Sequence, residues 1–273
     1  MSQVGIIGAG SIGLLIASYL AEQHSVTLYT RQTTGHEIKI LRDNQVSRPV
    51  EVRPLEQFES QDLVFVTTKS YDIKSVMPYL TNGKMPVMFL QNGMGHVKEA
   101  EQVPQALFGI VEHGAMRTGQ YAVRHTGMGR IRYGRVPVAM LEATPLQFEY
   151  VPDIAQVMLT KLFMNAVINP LTAYYRITNG QLLEAPYAEK AHGIFEELRN
   201  VFPEHPISYE EIEQVIRRTA LNRSSMLQDI EQGRQTEIEP IVGFVLEHAV
   251  NPTPLLTFYF NQIKSQEKRG DSM

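Results

Sequence analysis

Gly8-Ala9-Gly10-Ser11-Ile12-Gly13 forms the pattern G-x-G-x-x-G between an apolar run at 3–7 and a helical pattern at 12–22. In that setting the first glycine permits a tight turn. The second lets backbone approach a pyrophosphate, and the third lets helix and strand pack closely. The unspent N–H groups of the helix start favour phosphate. Arg31 stands just after the next strand-like run, 26–30. An acidic residue there would bind a ribose diol, whereas a guanidinium suits a 2′-phosphate, so the reading is NADPH/NADP+. Alone, such glycines occur in any tight turn and such an arginine on any surface. The order strand, loop, helix, strand, arginine is what carries the reading.

Lys161, Asn165 and Asn169 follow at i, i+4 and i+8, which places them on one helix face among Leu162, Phe163, Val167 and Ile168. A cation and two amides in apolar company are costly to bury without partners. The bland alternative is a polar face turned to water. Against it, two asparagines and Pro170 are poor helix formers, and such local inconsistency is expected where function overrides folding. Pro170 is expected to kink or end the helix. Asn222 and Ser225, three apart in a predicted helix, can share a face. Thr236 with Glu239 reads as a capping box. Pattern alone leaves Glu237 open between a first-turn acid and a site residue.

These residues need elements to hold them. Strand-like runs at 3–7, 26–30, 63–67, 86–90 and 106–111, with a short one near 50–53, alternate with helical pieces near 71–80 and 95–102. That alternation implies βαβ units and a parallel sheet. Residues 112–134 read as a hairpin extending the sheet. Ligands on such sheets bind beyond the strand ends. Three polar segments stand there: Thr67-Thr68-Lys69, Gln91-Asn92-Gly93 and Glu112-His113-Gly114. Each has the plain alternative of capping a turn. Beyond about 150 the chain reads as helices at 154–168, 186–202, 208–220, 224–232 and 237–249, with a frayed end at 264–273. The expected fold is α/β: a Rossmann-like dinucleotide-binding domain at 1–150 and an all-helical domain at 151–273.

Composition narrows the classes. A net charge of −4 argues against a general nucleic-acid binder. The absence of cysteine excludes disulfides and thiol catalysis and fits a cytoplasmic protein. The eight histidines show no ligand-like spacing, so no metal site is expected. The apolar stretch 154–175 is broken by Lys161, Asn165 and Asn169 and does not read as a membrane span.

Taken in order, the glycine loop, Lys69, Gln91-Asn92-Gly93-Met94-Gly95, the run 161–173, Ser224-Ser225-Met226-Leu227-Gln228-Asp229 and Thr236-Glu237-Ile238-Glu239 resemble the ketopantoate reductases (2-dehydropantoate 2-reductases) along nearly the whole chain. The resemblance implies NADPH reduction of the small 2-keto acid ketopantoate to pantoate, toward pantothenate and coenzyme A, with the site between the two domains. It implies Lys161 as general acid and Glu237 as a catalytic or hydroxyl-binding acid. Asn92, Asn165, Asn169, Asn179, Asn222 and Ser225 stand as substrate ligands. Residues 8–13, Arg31, Lys69 and Asn92 stand as cofactor contacts. By analogy a homodimer forms through the helical domain.

Two features depart from the resemblance. The stretch 134–152 is short for it, so the sheet edge lacks an element or carries a shortened helix. Glu112 places a carboxylate near the expected nicotinamide end, so either it points away or the substrate differs. The rival readings are a reductase of another 2-keto acid and a non-catalytic NADPH-binding sensor. Lys161 and Glu237 together argue against the sensor, which needs neither.

Overall fold

Runs of buried β-branched and aromatic residues make the first half of the chain. A computed structural model describes residues 1–31, 35–142 and 144–270. Two compact units form: Met1–Gln91 with His96–Ile154, and Asn92–Gly95 with Ala155–Met273.

The first unit holds strands β1 (Gln3–Ile7), β2 (Ser25–Thr30), β3 (His36–Ile38), β4 (Leu41–Arg42), β5 (Gln45–Val46), β6 (Val50–Pro54), β7 (Leu63–Val66), β8 (Val87–Phe89), β9 (Ala106–Val111), β10 (Gly114–Gly119), β11 (Ala122–Gly127), β12 (Ile131–Gly134) and β13 (Phe148–Tyr150). Helices α1 (Ser11–Leu20), α2 (Ile73–Leu80) and α3 (Val97–Ala100) lie between them. The main sheet runs β13-β12-β9-β8-β7-β1-β2-β6-β3. Its centre is parallel, so β1 and β7 are covered on both faces and read as near-continuous apolar runs. The chain leaves β1 toward β2 and β6 on one side, then crosses to β7, β8 and β9 on the other. That reversal at β1 is the topological switch point where such sheets bind ligands. The register pairs Ile7 with Tyr29 and with Val66, and Val66 with Phe89. The residues that follow, Gly8, Thr30, Thr67 and Leu90, therefore emerge along one sheet edge.

The segment 112–134 does not simply extend this sheet. β10 and β11 form a hairpin that joins β4 and β5 in a separate four-stranded sheet, and only β12 returns to the main one, antiparallel to β9. The short strands β3 to β5, at most three residues each, carry too little periodicity to be visible in sequence. Between β12 and β13 the described residues form a short 3₁₀ turn, Ala139–Leu141, which agrees with a shortened helix at this edge.

His96 is buried in this unit at 2% exposure, beside Phe108, and neither ring nitrogen has a partner among the described residues. Burial pushes its pKa down from 6.5 to about 4. The folded protein therefore keeps the ring neutral while the unfolded chain protonates it below about 6.5. Stability from this site is present at neutral pH and is lost as pH falls toward about 4, amounting to roughly 2 kcal/mol by pH 5. Urea unfolding at pH 7 and pH 5 should show an acid loss that is smaller by about this amount in His96→Phe. Equal losses in both proteins would show that another group carries the acid sensitivity.

The second unit is helical: α4 (Ile154–Tyr175), α5 (Tyr187–Val201), α6 (Tyr209–Arg218), α7 (Ser225–Glu231), α8 (Phe244–His248) and α9 (Pro254–Gly270), with a π-helical turn at Glu239–Gly243 leading into α8. α4 is long and apolar enough to cross a membrane, yet 56% of that stretch is buried inside the protein. It is the central core helix, contributing Leu162, Phe163, Ala166, Val167, Ile168, Leu171 and Ala173.

Three expectations are corrected here. Pro170 does not end α4, which continues to Tyr175. Each fully buried large side chain contributes roughly 1.5–3 kcal/mol, and several of them outweigh the roughly 3 kcal/mol cost of an interior proline. The buried Thr172 hydroxyl also satisfies local acceptors, at 2.7 Å from the Ile168 carbonyl. The stretch 264–270 is helical rather than frayed: within it Glu267 accepts from the Thr236 N–H and Oγ1 at 2.8 and 2.6 Å and pairs with Lys264 at 2.9 Å, which ties this end of α9 to the unit. Residues 271–273 lie outside the described residues. The Thr236–Glu239 capping box does not form; the Glu239 carboxylate instead pairs with Lys264 at 3.3 Å.

Candidate functional site

The glycine loop follows β1 and opens α1. The Gly8 N–H donates to the Tyr29 carbonyl at 3.0 Å, tying the loop to β2. The Thr67 hydroxyl reaches the Ile7 and Gly8 carbonyls at 3.2 and 3.0 Å, tying it to β7. Gly13 is dictated by close approach: a Cβ there would lie 1.9 Å from the Gly8 carbonyl oxygen and 2.6 Å from the Thr67 hydroxyl. At Gly10 a Cβ would meet nothing within 4 Å, so the backbone borders open space. The Leu14 N–H closes the first helical bond, on the Gly10 carbonyl at 2.9 Å. Before it the first-turn N–H groups have no intrahelical acceptor. Ala9, Ser11 and Ile12 complete the loop, all half-buried.

Further polar groups gather along the same edge. Thr30 Oγ1 at the end of β2, Thr68 Oγ1 and Ser70 Oγ after β7, and Gln91 Oε1 after β8 are buried and without a partner among the described residues. Buried polar atoms are ordinarily satisfied, so such a group of orphans at strand ends marks a place built for a polar ligand. With the opening at Gly10 and the free helix start, the residues present fit a dinucleotide. Its pyrophosphate would be held by the loop 8–13.

Arg31 lies at the end of β2, 60% exposed, with its guanidinium paired to Asp72. Lys69 precedes the short turn Ser70–Asp72 and is half-buried. Sequence reasoning does not single out Asp72, whose position after β7 would be the signal. Gln91 Nε2 donates to the Val66 and Thr68 carbonyls at 2.9 and 3.1 Å and fixes the backbone after β7. Glu112 is ion-paired with Arg132 and, at 3.9 Å, with Arg130, so its charge is compensated within its own sheet.

In the second unit, Asn92 and Glu237 meet although 145 positions apart: Asn92 Nδ2 donates to Glu237 Oε2 at 2.9 Å. Glu237 is only 5% exposed, so its carboxylate requires such donors. Backbone geometry sets the contact. The Met94 and Gly95 N–H groups donate to the Pro240 carbonyl at 2.9 and 3.4 Å. Gly93, just before them, has φ +73°, and a Cβ on it would lie 2.2 Å from the same carbonyl oxygen. The Glu237 turn is also held from behind. Thr236 N–H and Oγ1 both donate to Glu267 of α9, at 2.8 and 2.6 Å, and Thr236 Oγ1 accepts from the Ile238 N–H at 3.2 Å. Glu267 is not singled out in the sequence, because the polar segment around it reads as a frayed end. Thr253-Pro254, a capping residue followed by a first-turn proline, was the available signal.

Lys161, Asn165 and Asn169 all lie on α4, the first two half-buried and the last buried. Asn179 is buried, and its Nδ2 donates to the Thr219 hydroxyl at 2.9 Å. Asn222 is not in a helix. It is exposed in the loop between α6 and α7, where its carbonyl accepts from the Asn179 N–H at 3.0 Å. Asn179 and Asn222 thus brace one another through backbone. Ser225 is exposed at the start of α7, and the cap of that helix is Ser224, whose Oγ accepts from the Leu227 N–H at 3.1 Å.

A model of the ketopantoate reductase PanE/ApbA family matches residues 4–137, and its C-terminal counterpart matches 153–267. The chain is 34% identical to the 2-dehydropantoate 2-reductase of Bacillus subtilis, with 99% of each chain covered. It is 32% identical to that of Listeria monocytogenes, with 98% of each covered. Among solved structures, the Bacillus subtilis 2-dehydropantoate 2-reductase superposes with a TM-score of 0.87 at 33% identity, covering 97% of this chain and 99% of that one.

Proposed function

Since the chain belongs to the ketopantoate reductase PanE/ApbA family, we propose that it reduces ketopantoate to pantoate with NADPH. When bound, the cofactor supplies the hydride for C2 of the keto acid. The loop 8–13 holds the pyrophosphate, and Arg31 with Lys69 takes the 2′-phosphate. Lys161 stabilises negative charge developing on the substrate's C2 oxygen and delivers a proton to it. Glu237 accepts the substrate hydroxyl, and Asn92 orients the Glu237 carboxylate. Asn165, Asn169 and Ser225 position the keto acid without adding charge. Asn179 and Asn222 act at one remove, by bracing the loop before α7.

The observation that carries this reading is the Asn92–Glu237 hydrogen bond. It joins two segments that the family resemblance assigns to one site, and it buries a carboxylate that folding alone would leave in water. The test is NADPH oxidation followed at 340 nm with ketopantoate and a panel of other 2-keto acids. Turnover with ketopantoate, weak with NADH, is the expected result. Turnover only with another keto acid would discard the substrate and keep the chemistry. Dinucleotide binding without turnover would return the sensor reading. In the same assay Arg31→Ala should raise KM for NADPH far more than for NADH, by roughly tenfold or more, the scale of a charge-assisted contact. Equal effects on the two cofactors would remove Arg31 from the 2′-phosphate.

A further inference from the structure

We infer that Asp72 is a cofactor-selectivity residue whose carboxylate opposes the 2′-phosphate at Arg31 and so narrows, without reversing, the preference for NADPH over dinucleotides that lack it. The inference rests on the proposed reading of Arg31 and adds to it a residue of opposite sign. The Arg31 guanidinium is already paired with Asp72. Asp72 is only 23% exposed and its backbone is fixed: its N–H donates to the Lys69 carbonyl at 2.9 Å, and the Ser75 hydroxyl donates to its own carbonyl at 2.7 Å. The segment after β7 therefore carries both a cation, Lys69, and an anion, Asp72, and brings Asp72 against Arg31 at the end of β2. Arg31, Lys69 and Asp72 leave one net positive charge where two lysine- or arginine-type groups alone would leave two.

Two consequences follow from charge. A 2′-phosphate, carrying well over one negative charge, must share Arg31 with a carboxylate that repels it. A ribose diol has no such penalty and gains an acceptor, which is the usual role of an acidic residue in NAD-selective folds. NAD-selective folds place that acid at the end of β2. Here Arg31 occupies that place, and the acid arrives from the turn after β7, on the far side of β1. The Arg31 pKa is raised chiefly by its hydrogen bond to Asp72, which agrees with a carboxylate held against the guanidinium.

Calorimetric titration of wild type, Asp72→Asn and Arg31→Ala with NADP+ and with NAD+ tests this without turnover. Asparagine keeps an acceptor for Arg31 and removes the charge. Asp72→Asn should tighten NADP+ about three- to tenfold, a gain that shrinks as salt rises, and should leave NAD+ unchanged or weaker. An unchanged NADP+ affinity would overturn the inference. So would a weaker one, since Asp72 would then merely hold Arg31 in place. Arg31→Ala separates the two readings: if it leaves NADP+ binding intact, or if wild type binds neither dinucleotide, the assignment of Arg31 fails and the inference falls with it.

Discussion

Lys161→Ala is expected to lower kcat by about a hundredfold or more, the usual scale for removing general-acid catalysis. The lysine stands half-buried on the central helix of the second unit, next in sequence to the core residues Leu162 and Phe163. A cation held there acts in a medium of low effective dielectric, where its effect on a developing negative charge is larger than in water. If Lys161 acts on the transition state alone, kcat and kcat/KM should fall together while KM stays near its wild-type value. Lys161→Arg separates its two tasks. An arginine retains the charge but does not give up its proton. Partial recovery of kcat would assign the remaining loss to proton delivery, and full recovery would leave only electrostatics. Turnover of Lys161→Ala near wild type would remove the residue from the mechanism.

Gly93→Ala should be the most damaging single methyl group in the second unit. The backbone at Gly93 has φ +73°, a conformation that side-chain-bearing residues adopt at a cost of roughly 1–2 kcal/mol. The added Cβ would also lie 2.2 Å from the Pro240 carbonyl oxygen and 2.5 Å from its carbon, and backbone atoms have little freedom to give way. We expect a stability loss of about 3 kcal/mol or more, read by urea or thermal unfolding. The loop must move away from Pro240, and Asn92 moves with it. Losing its hydrogen bond to the Glu237 carboxylate should cost a further tenfold or more in kcat, the range of a hydrogen bond to a charged group. Stability and kcat both close to wild type would show that the Asn92 loop does not depend on this close approach.

Much of the first unit was legible because its signals are local. A strand of buried β-branched residues, three spaced glycines and a helix start lie within about twenty residues, and each constrains its neighbours through backbone sterics alone. The parallel sheet and the place of Arg31 followed from the same periodicity. The short strands β3 to β5 did not follow, nor did the separate sheet that β4 and β5 build with the β10–β11 hairpin. Leu41 of β4 pairs with Ala122 of β11, far along the chain, and two or three residues hold no period of their own.

In the second unit the sequence by itself determined the helical content and placed Lys161, Asn165 and Asn169 on one face, since a helix repeats every 3.6 residues whatever surrounds it. Tertiary structure alone decided the rest. α4 passes through Pro170 because core burial outweighs the lost hydrogen bond. α9 runs on to Gly270, with Glu267 bonded to Thr236 from another part of the unit and paired with Lys264. Glu237, which pattern left open between a capping acid and a site residue, is a buried carboxylate bonded to Asn92 and braced through Thr236 by Glu267. Asp72 lies against Arg31 for the same reason. A charged side chain finds its partner by proximity in space, and no spacing along the chain encodes that proximity.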